Sequence, residues 1–296
     1  MDDTTPPPHP DQPFLVTRSG GSGLTRGQAR SVRFASPSAG VRLVRRLPPD
    51  AYRAAAVLGA GPDAVLTDLS AARHWAMPLP PWQQDEPGTV TVSRPAGGGR
   101  PERRDTRGRR VLLPSEHVTT LNGVRITTPA RTWLDCAAHL PLVHLIALGD
   151  HILRLELASE ADLRDIVAWA PRRRGIITAR TATPLLDPRS ESPRESIVRA
   201  HLALFGLPRP VCNLDVFHAD VWLARVDIAW PEALLAVEYD GMGHLDEAQR
   251  RRDAWRRNAL QRAGWLVITL TADDLRHPEL MCRRIAEALH QRLHTR

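Results

Sequence analysis

Arg225-Val226-Asp227-Ile228-Ala229-Trp230 and Leu234-Leu235-Ala236-Val237-Glu238-Tyr239, joined through Pro231-Glu232-Ala233, read as two strands closing on a short turn. With the turn centred between Glu232 and Ala233, Asp227 falls opposite Glu238, and residues so paired stand about 5 Å apart at Cβ. Two carboxylates at that spacing repel unless a cation or a proton lies between them. A hard divalent ion such as Mg²⁺ prefers oxygen ligands of this kind. Strand alternation adds Asp240, which projects to the same face as Glu238. The alternative, a lone acid on a solvent face, fits Glu238 poorly, because the apolar run before it reads as a buried strand.

Outward from this hairpin, the pattern is αβββαβ. Ser192-Pro193-Arg194-Glu195 has the form of a capping box and starts a helix to about Phe205. Strands follow at Val211 to Phe217 and Leu223 to Trp230, ahead of the second hairpin strand. A helix from Asp246 to Ala263 closes at Gly264, with an apolar stripe of Ala248, Trp255, Ala259 and Ala263. Arg252, Arg256 and Arg257 then stand off the stripe as candidates for nucleic-acid phosphates, or as a solvated face paired with Asp246 and Glu247. A strand at Trp265 to Leu270 and a helix from Pro278 to Leu293 complete the unit.

This order, with Val226-Asp227-Ile228-Ala229-Trp230-Pro231-Glu232, Val237-Glu238-Tyr239-Asp240-Gly241 with His244, Arg252-Asp253 and Gly264-Trp265, resembles the restriction-endonuclease-like PD-(D/E)XK superfamily. More narrowly, it resembles the Vsr-like endonuclease domains of actinobacterial proteins. The resemblance implies an α/β fold and Mg²⁺-dependent hydrolysis of DNA phosphodiesters, with Mn²⁺ as a substitute ion. It places Asp227 and Glu238 as metal ligands, with Glu195 binding directly or through water; the competing role for Glu195 is the capping box alone. Much of the superfamily has Lys where Asp240 stands, so His244 becomes the candidate general base, against the alternative of an exposed loop histidine. The missing lysine also supports a rival expectation: a non-catalytic DNA-binding regulator or antitoxin-like protein with a degenerate nuclease fold.

The 40 basic residues are all arginine, which removes lysine as a base or phosphate ligand and leaves bidentate guanidinium groups for that task. The net charge of +7 points to a polyanionic partner such as DNA. From Asp187 onward arginines and acids balance at 16 each, so the excess lies entirely in residues 1–186. Cys136, Cys212 and Cys282 form no C-x-x-C pair, which argues against a disulfide framework or structural zinc and for buried thiols in a reducing cytoplasm. The start of the chain lacks signal-peptide regions and no apolar run approaches membrane-spanning length, so a cytoplasmic protein with no membrane partner is expected.

Residues 1–40 are rich in Pro, Gly and Ser and are expected to be largely disordered, with the first strand at Val41 to Val44. Residues 41–186 read as a mixed α+β domain, similar to the AbiEi-like region that precedes such nuclease domains, and residues 187–296 as the nuclease-like domain. Within the first, Gly97 to Arg110 reads as a mobile basic loop, Arg109 to Leu113 as a strand, and Asn122-Gly123 as a hairpin turn inside Val118 to Thr127. Thr128-Pro129 starts a helix, and Ser159 caps another that ends near Trp169. His139, His144 and His151, spaced at five and seven, read as scattered solvated side chains rather than a metal pair.

Overall fold

In a computed structural model, residues 13–16, 27, 34–36, 40–44, 49–84, 89–94, 102–103, 106–240 and 247–294 are described. The chain forms two compact units, one of residues 1–139 and 166–176, the other of residues 140–165 and 177–296. The sequence places its boundaries after residues 40 and 186; across the second of these, the helix Leu142–Arg154 pairs with the helix Pro193–Leu204. A buried ion pair, Arg199 to Asp150 at 2.6 Å, joins the two helices.

In the first unit, β1 (Phe14–Leu15) and β2 (Phe34–Ala35) flank β3 (Val41–Val44) in an antiparallel sheet. The expectation of disorder up to residue 40 is therefore corrected at these two segments. Both lack the length to signal a strand alone, and only pairing with β3 fixes them; Phe14 meets Phe34 edge to face at 5.1 Å between ring centroids. Helix α1 (Pro49–Ala60) covers the sheet, burying Ala55 against Val41 and Leu43.

A six-stranded sheet follows, built from β4 (Val65–Leu66), β5 (Val90–Arg94), β6 (Glu102–Arg103), β7 (Thr106–Arg110), β8 (Val118–Leu121) and β9 (Val124–Thr127). Their order is β6-β7-β5-β4-β9-β8, with β5–β7 and β4–β9 parallel. The basic loop expected over Gly97 to Arg110 is corrected at Glu102–Arg103 and Thr106–Arg110, the latter running beside β5 in register with Val90–Arg94, while the rest of that stretch lies outside the described residues. The arginines hid a strand whose small residues face inward: Thr106 and Gly108 are buried while Arg107 is exposed. The β8–β9 turn is the expected one, with positive φ at both Asn122 and Gly123. Helices α2 (Asp68–His74), α3 (Pro81–Gln84) and α4 (Pro129–Cys136) complete this part, and the Thr128 hydroxyl caps α4 by accepting from the Arg131 N–H.

Three further helices, α5 (Leu142–Arg154), α6 (Glu160–Trp169) and α7 (Ile176–Ala182), lead to the αβββαβ segment. In that segment α8 (Pro193–Leu204) precedes β10 (Val211–His218), β11 (Val221–Trp230) and β12 (Leu235–Tyr239). Then come α9 (Glu247–Arg262), β13 (Leu266–Leu270) and α10 (Pro278–His294). The sheet order is β10-β11-β12-β13, antiparallel except for the parallel β12–β13 pair. Alternation splits β12 between two cores. Leu235 and Val237 pack with Val198 and Leu202 of α8 and Ile285 of α10, whereas Ala236 packs with Leu260 of α9. No helix among the described residues is long and apolar enough to cross a membrane.

Candidate functional site

Strands β11 and β12 pair Ile228 with Val237 and Trp230 with Leu235, across a turn in which Leu234 takes φ 44°. Continuing that register by one residue sets Asp227 opposite Glu238, as the sequence requires. Alternation places Glu238 on the α9 face with Ala236. Beyond Ile228 the Asp227 carboxylate accepts from the Tyr239 backbone N–H at 2.9 Å.

Glu195 reaches the same neighbourhood from the first turn of α8. The Ser192 hydroxyl caps the helix by accepting from the Glu195 N–H at 3.2 Å, but the Glu195 side chain does not return to Ser192. Its Oε2 accepts from the Glu191 N–H at 2.8 Å and from Asn213 Nδ2 at 3.1 Å. Asn213 sits in β10 with φ 49°, a left-handed conformation, at the position opposite Asp227. Burial pushes the Asp227 carboxyl above its usual range; the negative charges of Glu195 and Glu191 add to the rise, and the Tyr239 N–H and the Arg256 guanidinium oppose it.

Arg256 accounts for the remaining acid. Its Nη2 lies 3.1 Å from Glu238 Oε2, and its Nη1 donates to the Arg225 carbonyl at 3.2 Å. This corrects the placing of Arg256 on a free phosphate-binding face. The helix turns Ala259 and Leu260 inward, and Trp255, expected in the core, is 60% exposed. With Leu260 inward, Arg256 lies one turn before it on the same face and points to Glu238. Arg257 is exposed, and so is Asp240, whose backbone N–H donates to the Leu270 carbonyl. His244 and the side chain of Arg252 lie outside the described residues. Arg194, which the sequence did not single out, donates to the Tyr239 hydroxyl at 2.7 Å and stacks over its ring.

The donor set has the right chemistry for Mg²⁺, being carboxylate oxygen throughout. Its arrangement does not match a metal site as it stands. Arg256 occupies one oxygen of Glu238, and among the described residues no group of three or more His, Cys, Asp or Glu side chains is placed to hold an ion.

Residues 64–188 match the family model described as AbiEi antitoxin C-terminal domain. This part of the chain is AbiEi-like. An uncharacterized protein of Mycobacterium tuberculosis strain CDC 1551 is 34% identical over 171 residues, 57% of this chain and 63% of that protein. A second, from strain H37Rv, matches with the same identity and coverage. The chain therefore spans less than two thirds of the length of these relatives. No solved structure matches it significantly. The resemblance to the PD-(D/E)XK superfamily rests on the residues of the C-terminal segment and finds no counterpart among these matches.

The AbiEi-like region carries its own buried charges. Arg131, fully buried, donates to Asp135 at 3.0 Å and to the Leu112 carbonyl at 3.0 Å, contacts His117 Nδ1 at 3.1 Å, and stacks over Trp169. Arg173 also donates to Asp135. Burial lowers the pKa of His117, and the Arg131 charge adds to this, so the neutral ring accepts at Nδ1. A second cluster joins Asp68 to Arg109 at 2.7 Å and to His139 at 3.3 Å. Burial would raise the Asp68 pKa, but the bonds from His139 and Arg109 outweigh it and hold the carboxyl below its usual range. His139 is thus a paired side chain rather than a scattered solvated one. All three cysteines are buried and free, as expected.

Proposed function

We propose that this chain is a DNA-binding regulator of the antitoxin class, whose C-terminal αβββαβ segment keeps a restriction-endonuclease-like framework without turnover. The observation that carries the reading is the Arg256–Glu238 pair: a guanidinium stands at the acid where an active nuclease would need a metal ion. The other two acids are likewise tied to protein donors, Asp227 to the Tyr239 N–H and Glu195 to Asn213. The match of residues 64–188 to an antitoxin family supports the same class. A net charge of +7 carried wholly by arginine in the first 186 residues suits the backbone of DNA.

A second reading, a Mg²⁺-dependent DNA endonuclease, is favoured by one observation: the β11–β12 register that brings Asp227 opposite Glu238. In that reading Asp227, Glu238 and Glu195 would hold the ion, which would activate water and stabilise charge on the phosphate. Arg256 would have to leave Glu238 first.

Gel-shift and plasmid-nicking assays with Mg²⁺ or Mn²⁺ separate the two. The regulator predicts binding that weakens with salt and no cutting by wild type, Asp227→Ala or Arg256→Met. Metal-dependent nicking that Asp227→Ala abolishes would overturn the regulator in favour of the nuclease.

A further inference from the structure

We propose that the first unit holds a binding site for a small, uncharged, largely apolar compound bearing a hydroxyl group, in the cavity between helix α1 and the β8–β9 turn. The cavity has a volume of about 500 Å³, within the range of small-molecule sites. Its walls are mainly aliphatic, formed by Leu15, Ala54, Val57, Leu58 and Val124, and Asn122-Gly123 closes one side. Such walls favour an apolar body.

One polar group in the wall has no structural explanation. His74, on α2, has a side chain only 2% exposed, yet neither ring nitrogen makes a hydrogen bond. A buried polar group without a partner costs roughly 1–3 kcal/mol, so a protein that keeps one is poised to gain from supplying the partner. Asp50 Oδ1 lies 3.7 Å from His74 Nδ1, too far for a direct bond, and the Leu121 carbonyl raises the ring's pKa without completing one. Burial lowers the pKa of His74 more strongly than either group raises it, so the ring is neutral at pH 7 and offers a donor and an acceptor without a charge. A hydroxyl entering between the two would accept from the imidazole N–H and donate to the Asp50 carboxylate. Asp50, at the start of α1, is 55% exposed and has its Oδ1 held by the Arg53 guanidinium, so the hydroxyl would donate to Oδ2.

Among the described residues of the wall, the other charged side chain, Arg125, is held by the Pro62 carbonyl at 2.9 Å and lies 3.9 Å from Asp63, so an anionic ligand gains little there. The site is independent of the hairpin acids and of either reading of them.

The test titrates the full chain with 2-naphthol and, separately, naphthalene by isothermal titration calorimetry, with circular dichroism to check that each variant folds. Wild type should bind 2-naphthol saturably. His74→Phe, which keeps the ring but removes both nitrogens, should weaken 2-naphthol about tenfold and leave naphthalene unchanged. Ala54→Trp, which fills the cavity from the half-buried α1 face, should abolish binding of both. Absence of saturable 2-naphthol binding by wild type, or equal affinities in wild type and Ala54→Trp, would overturn the proposal.

Discussion

Arg199→Met should be among the most destabilising single changes in the second unit. Arg199 donates to Asp150 at 2.6 Å, to the Leu185 carbonyl at 2.6 Å and to the Ser190 hydroxyl at 3.3 Å. Both charged side chains are almost fully buried, 4% exposed for Arg199 and 0% for Asp150. Methionine preserves much of the volume but leaves the Asp150 carboxylate with the Asp187 N–H at 2.7 Å and the Ser196 hydroxyl, and with no cation. Breaking one side of a buried pair costs about 3–5 kcal/mol, a large share of the stability of an ordinary domain. Urea unfolding followed by tryptophan fluorescence measures it.

Two controls make the reasoning specific. Adding Asp150→Asn to Arg199→Met should recover much of the loss, because the amide oxygen still accepts from the Asp187 N–H and no charge remains buried. The pH dependence has a definite sign. Burial raises the Asp150 pKa above its usual value, with Arg199 opposing, so removing Arg199 raises it further. A carboxyl whose folded pKa is raised is penalised as pH climbs past its unfolded pKa. The gap between wild type and Arg199→Met should therefore narrow as pH falls from 7 towards 4. A cost below about 1 kcal/mol, the level of an exposed ion pair, would refute the argument. So would a gap that widens in acid.

Asp187 works in the opposite direction. Burial would raise its pKa, but the paired bonds from Arg189 win and hold it at about 2, against 3.8 unperturbed. Its stabilisation is thus complete above pH 3.8 and lost as pH falls towards 2. Asp187→Asn should lower the melting temperature at pH 7 and flatten its decline across that acid window. Gly175 takes φ +82°, and a Cβ there would lie 2.4 Å from the Ala137 carbonyl carbon. Gly175→Ala should cost roughly 3 kcal/mol, combining left-handed strain with the clash, and thermal unfolding reads it.

Legibility in the sequence followed the range of the interactions that fix each element. The β8–β9 turn was readable because Asn122-Gly123 itself supplies two positive φ values, and the start of α8 because Ser192 caps it within one turn. The β11–β12 register was readable because only a short turn separates the strands. Strand β7 was readable only at its end, where the expected strand from Arg109 overlaps it: Thr-Arg-Gly-Arg-Arg carries no apolar alternation, and its conformation comes from a parallel neighbour, β5. Strands β1 and β2 were missed for the same reason, since two residues each cannot announce a strand without β3.

The hairpin acids show where pattern reading stops. Alternation and register depend on the backbone alone, so the pairing of Ile228 with Val237, from which the facing of Asp227 and Glu238 follows by one step, was legible without knowledge of anything else. Whether an acid is free to hold a metal depends on which cation arrives from outside the hairpin, and Arg256 arrives from a helix 18 residues further on. The helical period did contain that information: with Ala259 and Leu260 inward, position 256 lies on the buried side and position 255 off it. Reading Trp255 as core because it is aromatic reversed the two. Hydropathy ranked the residues by side chain, whereas the fold ranked them by partner, and the buried Glu238 made an arginine the better inward residue.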